Sequence, residues 1–271
     1  MKIEVGDTMS EQQTDLLRTD LSGKVVLVTG GGSGIGAAIA EAFGRYGARV
    51  GIQHFSSDGN AVSALVGRIR LAGGDALSIQ ADFNSSQAVA ETIAQVVAHF
   101  GRLDILINNA GGMVARRQLE EVDDDFIDRV FNLNARSVVT ACREVLPAFT
   151  HAGGGCIINV SSISARSGGS PGSSIYSASK AFVSTLTRSL ARELAGCHVR
   201  VNAISPGTID TAFHARFSSS EKLAKTQDGI PLQRLGEAED CAGTALYLAC
   251  DGLSGYVTGQ VIEINGGQLM A

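Results

Sequence analysis

Tyr176 stands four residues before Lys180 in the stretch "IYSASK". Residues i and i+4 share one face of a helix. A tyrosine phenol has an unperturbed pKa of about 10, too high for ready proton exchange at neutral pH. An ammonium held beside the phenol favours phenolate and lowers that value. A phenol tuned in this way can give a proton to a carbonyl oxygen or take one from an alcohol. The same spacing alone also fits two residues that merely share a surface, so the rest of the chain must decide.

The elements that would hold this pair repeat from Lys24 onward. "KVVLVTG" is a short, continuous apolar run, as expected of a strand buried on both faces of a parallel sheet. A glycine-rich turn and the helical stretch "IGAAIAEAFGRYG" follow. Further strands are expected at "ARVGIQH", "ALSIQAD", "LDILINNAG", "GCIINVSS", "HVRVNAISPG" and "GQVIEING". Helical patterns lie between them, at 58–72, 85–101, about 118–150, 174–196 and about 237–251. Seven strands alternating with helices imply an α/β fold, a doubly wound, Rossmann-like seven-stranded parallel sheet. One domain over 22–271 is expected, after a flexible polar extension at 1–21. Residues 207–235 are the main irregular segment, of the length typical of a substrate lid.

The composition narrows the class. The chain has 271 residues, 44% of them hydrophobic, enough for one sizeable core. Its formal net charge is −5 and no basic stripe is present, which argues against a nucleic-acid partner. No apolar run approaches the roughly 18 residues of a membrane span, and the charged-then-apolar order of a signal peptide is missing. Five scattered cysteines without CxxC spacing suit free thiols in a reducing compartment. A soluble cytoplasmic protein is expected. The five histidines are dispersed and give no metal-ligand spacing.

Ligands of such sheets bind beyond the carboxyl ends of the strands. Polar and small residues gather there. "TGGGSGIG", from Thr29 to Gly36, joins the first strand to the first helix, and Gly30, Gly34 and Gly36 allow backbone N–H groups to approach an anion. Asp82 follows the third strand, where its carboxylate could accept an adenine amino group. "NNAG", from Asn108 to Gly111, follows the fourth and leaves room for a ribose. Ser161 and Ser162 follow the fifth, and Pro206, Gly207, Thr208, Ile209 and Thr211 follow the sixth.

TGxxxGxG, NNAG, a serine, YxxxK and PG, in that order over about residues 22–268, resemble the short-chain dehydrogenase/reductase family, with 3-oxoacyl reductase and glucose dehydrogenase-like members among the similar ones. The resemblance implies an oxidoreductase that moves a hydride between a nicotinamide cofactor and a carbonyl or secondary alcohol. It implies Tyr176 as acid and base, Lys180 on the nicotinamide ribose and Ser162 on the substrate oxygen. Asn134 would bend a helix locally and hold a water in a proton relay. Cofactor contacts are implied at Gly30, Ser33, Gly34, Ile35, Gly36, His54, Phe55, Ser56, Asp82, Phe83, Asn109, Ala110, Gly111, Tyr176, Lys180, Pro206, Gly207, Ile209 and Thr211. Ser162 lies 14 residues before Tyr176 where many members have 13, so Ser161 is a rival for the serine role. A non-catalytic nucleotide-binding regulator of the same fold would not need Tyr176, Lys180, Ser162 and Asn134 together.

A sugar or polyol dehydrogenase is the alternative activity. Gly153 and Cys197 stand where carrier-protein reductases tend to carry basic residues, which argues against an acidic carrier protein as partner. Arg116, Arg117 and Arg166 remain, open to anion contact or to plain solvation. His54 stands where NAD-specific members have an aspartate, so NADP(H) is expected to be preferred, with NAD(H) possible. The resemblance also implies a homotetramer, pairing helices at about 131–150 and 174–196 and the C-terminal segment.

Overall fold

The computed structural model describes residues 21–55 and 58–270. Its seven strands are β1 Val25–Val28, β2 Arg49–His54, β3 Asp75–Gln80, β4 Ile105–Asn108, β5 Gly155–Val160, β6 Val199–Pro206 and β7 Val261–Ile264. All pair in parallel, in the order β3-β2-β1-β4-β5-β6-β7. The chain order reverses between β1 and β4, which opens a crevice at their carboxyl ends.

The helices are α1 Gly34–Arg45, α2 Gly59–Leu71, α3 Ser86–Phe100, α4 Asp124–Phe131, α5 Ser137–Ala152, α6 Ser164–Ser167, α7 Ser174–Glu193, α8 Ala212–Phe217, α9 Ser220–Asp228, α10 Ala238–Ala249 and α11 Asp251–Ser254. Alternate strand residues feed two cores, one on each side of the sheet. Val26, Val28, Ile105, Ile107 and Ile158 pack with α1 and α10 residues such as Phe43 and Leu248. Val25, Leu27, Leu106 and Ile157 pack with Phe100, Val145, Phe149 and Val183 of α3, α5 and α7. The continuous apolar strands are thus explained by burial on both faces.

Two expectations need correction. Leu21, assigned to the extension, is 2% exposed and belongs to the first core, and its N–H bonds the Tyr46 carbonyl at 2.9 Å. Residues 1–20 lie outside the described residues. The segment 207–235 is not mainly irregular, since it carries α8 and α9. No α9 residue is buried, so the apolar stripe that marks a helix in sequence is missing there. Among the described residues no helix is long and apolar enough to cross a membrane.

Candidate active site

The cradle at the β1–α1 turn is held from both sides. Thr29 Oγ1 accepts the N–H groups of Asn109 (3.0 Å) and Ala110 (2.9 Å). Asn109 Nδ2 returns bonds to the carbonyls of Thr29 and Gly30, both at 3.0 Å. Gln53, on β2, accepts the Gly30 N–H at 2.7 Å and donates to the Ala81 carbonyl at 2.7 Å. Gly30 and Gly34 have φ of 62° and 52°, in the left-handed region. A Cβ on Gly36 would strike the Gly30 carbonyl and Asn109 Nδ2, so only glycine lets α1 start against this turn. Ser33 is exposed and does not cap α1, whose first turn has no acidic residue. The first backbone N–H groups of α1 therefore have no side-chain acceptor among the described residues. Open donors at the positive end of a helix fit the diphosphate of a dinucleotide.

The other expected contacts ring this cradle. His54 ends β2 and Phe55 follows it, Asp82 and Phe83 follow β3, and Thr211 lies 3.5 Å from where a Gly34 Cβ would stand. The Asp82 Oδ1 accepts from Asn84 N and Nδ2 at 2.9 and 2.8 Å, which fixes its carboxylate. Phe83 and Ile209 are buried at 4% and 3%, and their side chains belong to the two cores. Pro206 and Gly207 close β6, and Gly207 N–H bonds Ile264 O at 2.8 Å. Ser56 lies outside the described residues.

Beyond β4, α4 passes into α5 through a π-helical turn, Asn132–Arg136. The turn aims the fully buried Asn134 side chain inward. Its Nδ2 donates to the carbonyls of Gly112 (2.8 Å) and Val130 (2.9 Å), and its Oδ1 accepts the Gly112 N–H at 3.0 Å. Both amide hydrogens are thus spent tying the loop to the helix. The space at Gly111 is already taken, since a Cβ there would stand 2.7 Å from Asn134 Oδ1 and 3.1 Å from Lys180 Nζ.

Lys180 is 4% exposed, and its ammonium donates to the Val160 carbonyl at 2.8 Å. Burial lowers its pKa to about 8. The ammonium lies 5.9 Å from the centroid of the Tyr176 ring. The lowering of the tyrosine pKa expected from this pair is not what the structure shows. Burial of the phenol raises it to about 12, and a hydrogen bond with Ser162 only partly opposes that. Desolvation dominates, and the lysine's bond is to a carbonyl and not to the phenol, so the phenol is protonated at neutral pH.

The two serines part company. Ser161 turns away, bonding the Lys180 carbonyl at 3.0 Å and Ser184 Oγ at 2.6 Å. Ser162 faces the phenol, and its Oγ accepts from Ser164 N (3.2 Å) and Ser164 Oγ (2.9 Å). With those lone pairs used, its own hydroxyl hydrogen is left to donate. Ser164 and Gln53 were missed in the sequence. The serine-rich stretch "SSIS" is the trace of the first, and a polar residue within the buried β2 run is the trace of the second.

Over the tyrosine lies α8. The Phe213 and Tyr176 rings are 6.0 Å apart, and Phe213 and Phe217 are 5.1 Å apart. Of the three arginines singled out, Arg117 pairs with Asp123 at 2.8 Å and Arg166 lies 3.7 Å from Glu263. Arg116 instead holds α8, donating from Nε to the Phe217 carbonyl at 2.8 Å. Among the described residues no cluster of histidine, cysteine and carboxylate suits a metal.

Comparison with known proteins gives the family. A family model described as enoyl-(acyl carrier protein) reductase matches residues 30–268. A versicolorin reductase of Emericella nidulans is 38% identical over 259 residues, covering 91% of this chain and 96% of that protein. The crystal structure of the NADH-dependent reductase A1-R' complexed with NAD is 34% identical, with a TM-score of 0.83 over 94% of this chain and all of the other. A gluconate 5-dehydrogenase-like structure from Beutenbergia cavernae, with NADP bound at low occupancy, is 35% identical, with a TM-score of 0.85 over 94% of this chain and all of the other. With its parallel sheet, open helix terminus and ordered motifs, the chain belongs to the short-chain dehydrogenase/reductase family, oxidoreductases that transfer a hydride between a nicotinamide cofactor and a carbonyl or alcohol substrate.

Proposed function

We propose that this chain interconverts a small-molecule ketone or aldehyde and its alcohol, with Tyr176 exchanging the proton. The convergence of Tyr176, Ser162, Lys180 and Asn134 carries this reading. The nicotinamide, when bound, supplies or accepts the hydride. The protonated Tyr176 phenol then gives its hydrogen to the substrate oxygen, and the Ser162 hydroxyl, oriented by Ser164, donates to the same oxygen. Lys180 would hold the ribose hydroxyls of the bound cofactor and resupply the proton to the phenol, while Asn134 positions the loop beside it.

Cofactor choice rests on the end of β2. No carboxylate stands at His54 to repel a 2′-phosphate. Burial pushes the His54 imidazole below its ordinary pKa, so it is neutral at pH 7 and adds no attraction. Preference for NADP(H) rests on the missing carboxylate alone, with NAD(H) usable, and the ratio of kcat/KM for the two cofactors on one substrate measures it.

A homotetramer also fits. Val139 on α5 and Phe182 on α7 are 39% and 40% exposed, and the edge strand β7 leaves its apolar residues half-buried. Light scattering at micromolar concentration should give four times the chain mass.

The decisive test is Tyr176→Phe. Packing is kept and the transferable proton is lost, so turnover should fall about 10²–10⁴-fold with cofactor affinity nearly unchanged. Near-normal turnover would end this reading.

A further inference from the structure

Two cations meet at the mouth of the site with no carboxylate between them. Arg116 donates from Nη1 to Ser170 Oγ at 3.0 Å and to the Pro171 carbonyl at 3.2 Å. Lys222 donates to the same Ser170 Oγ at 2.9 Å. No ion pair among the described residues involves either cation. Arg116 Nη2 has no protein acceptor among the described residues.

This arrangement is electrostatically unfavourable by itself. Like charges share one neutral oxygen, and Lys222 sits in the first turn of α9, where the helix already carries partial positive charge. Glu221, in the same turn, pairs with neither. Burial and the Arg116 charge lower the Lys222 pKa, in keeping with an uncompensated pair. An anion placed between the two would relieve all three terms and gain charge-assisted hydrogen bonds.

The location ties the pair to the reaction. Arg116 lies on the loop after β4, Ser170 on the loop leading to Tyr176, and Lys222 on α9 of the lid. Arg116 also holds the Phe217 carbonyl, and Phe217 packs on Phe213, which packs on Tyr176. The proton donor and the cation pair therefore stand at two ends of one wall, with an aromatic stretch between them.

We infer that the substrate carries an anionic oxygen group, a carboxylate or a phosphate ester, remote from its reacting carbonyl, and that Arg116 and Lys222 bind it. The inference rests on the proposed chemistry at Tyr176. It is tested by kcat/KM for methyl ketones of increasing chain length ending in a carboxylate, each set against its neutral amide. Phosphate esters of the matching hydroxy ketones form a third arm, which separates the two kinds of anion.

At the best length the anion should be favoured over the amide by about tenfold or more, a difference of about 1.4 kcal/mol. Lys222→Gln should shrink that ratio, Lys222→Glu should invert it and Lys222→Arg should restore it. A purely structural role would lower both substrates together. An unchanged anion-to-amide ratio in Lys222→Gln and Lys222→Glu would therefore overturn the inference, as would equal rates with acid and amide at every length. If ketones of all charges are reduced alike and Tyr176→Phe abolishes that, the oxidoreductase reading stands and only the anion site falls. If no carbonyl is reduced at all, both fall.

Discussion

The cofactor side and the lid side of the crevice are held together in different ways. On the cofactor side, Thr29, Asn109, Gln53 and Asn134 each bond backbone groups of a neighbouring segment, and Gly36 and Gly111 leave no room for a methyl group. On the lid side, α9 buries no residue and is tied down by Lys222 and the Arg116 cluster at the surface. The first is a preorganised frame for a cofactor shape that does not vary. The second is a cover whose contacts are few and polar, suited to opening and to change of substrate. Variants on the frame should therefore cost stability and turnover together. Lid variants should move KM and leave stability nearly untouched.

The strongest test of the frame is Asn134→Ala. It deletes three hydrogen bonds from the buried π turn, two to the N–H and carbonyl of Gly112 and one to the Val130 carbonyl. A cost of about 1–3 kcal/mol is expected for the groups left unpaired. The loop beside Lys180 would shift, and a misplacement of about 1 Å costs on the order of a hundredfold in rate. Stopped-flow turnover and urea unfolding on the same preparation would check it. A stable variant with normal kcat would show that the turn is not a positioning device.

Gly36→Ala should act next, through crowding. The added methyl meets the Gly30 carbonyl and Asn109 Nδ2. Overpacking of this kind costs about 1–3 kcal/mol. Opening the turn would also misalign the first N–H groups of α1. Cofactor affinity should therefore fall by about tenfold or more, equivalent to about 1.4 kcal/mol. Titration of cofactor fluorescence measures this without any substrate.

The frame should also leave a signature in pH. Lys180 falls from 10.5 in its ordinary state to about 8 in the fold. Between those values the unfolded chain binds the more protons, so stability rises with pH through that window. The full cost is present below pH 8, and its size is on the order of 3 kcal/mol. Tyr176 acts oppositely, because its rise from 10.0 to about 12 makes the folded chain the better proton binder above pH 10. The gain should therefore show mainly between pH 8 and 10 in urea unfolding, and vanish in Lys180→Met. A wild-type profile that is flat there would mean that Lys180 is charged in the fold.

These two regions were also unequally legible in the sequence. The seven strands could be read because burial on both faces leaves continuous apolar runs such as "VVLV" and "CIINV". Asn134 was found only through resemblance, because nothing in "FNLNARS" announces a π turn. Leu21 escaped because polar residues surround it, although it fills a gap in the first core. α9 escaped because a lid helix with no buried residue carries no apolar period, and α8, only six residues long, is too short for a period to stand out. The tyrosine pKa went wrong for another reason: i and i+4 spacing sets who is near, but says nothing of how deeply the phenol is buried. The choice between Ser161 and Ser162 turned on side-chain direction, which counting to Tyr176 could not supply.

The smallest expected effect is at Phe213, and it probes the lid alone. Its ring lies between the Tyr176 and Phe217 rings, at 6.0 and 5.1 Å. It belongs to α8, outside both cores, so its loss removes no contact that the sheet depends on. Phe213→Leu keeps an apolar side chain but shortens the wall between the proton donor and the lid. Stability should therefore stay within about 0.5 kcal/mol of the parent, as for surface changes away from buried networks. KM for a carbonyl substrate should rise a few-fold while kcat stays close to the parent value, because the wall contacts substrate before and during the reaction alike and so supplies uniform binding. Steady-state kinetics beside thermal unfolding would check both halves. A large loss of stability would place α8 with the frame, and a selective loss of kcat would mean that Phe213 tunes the phenol itself.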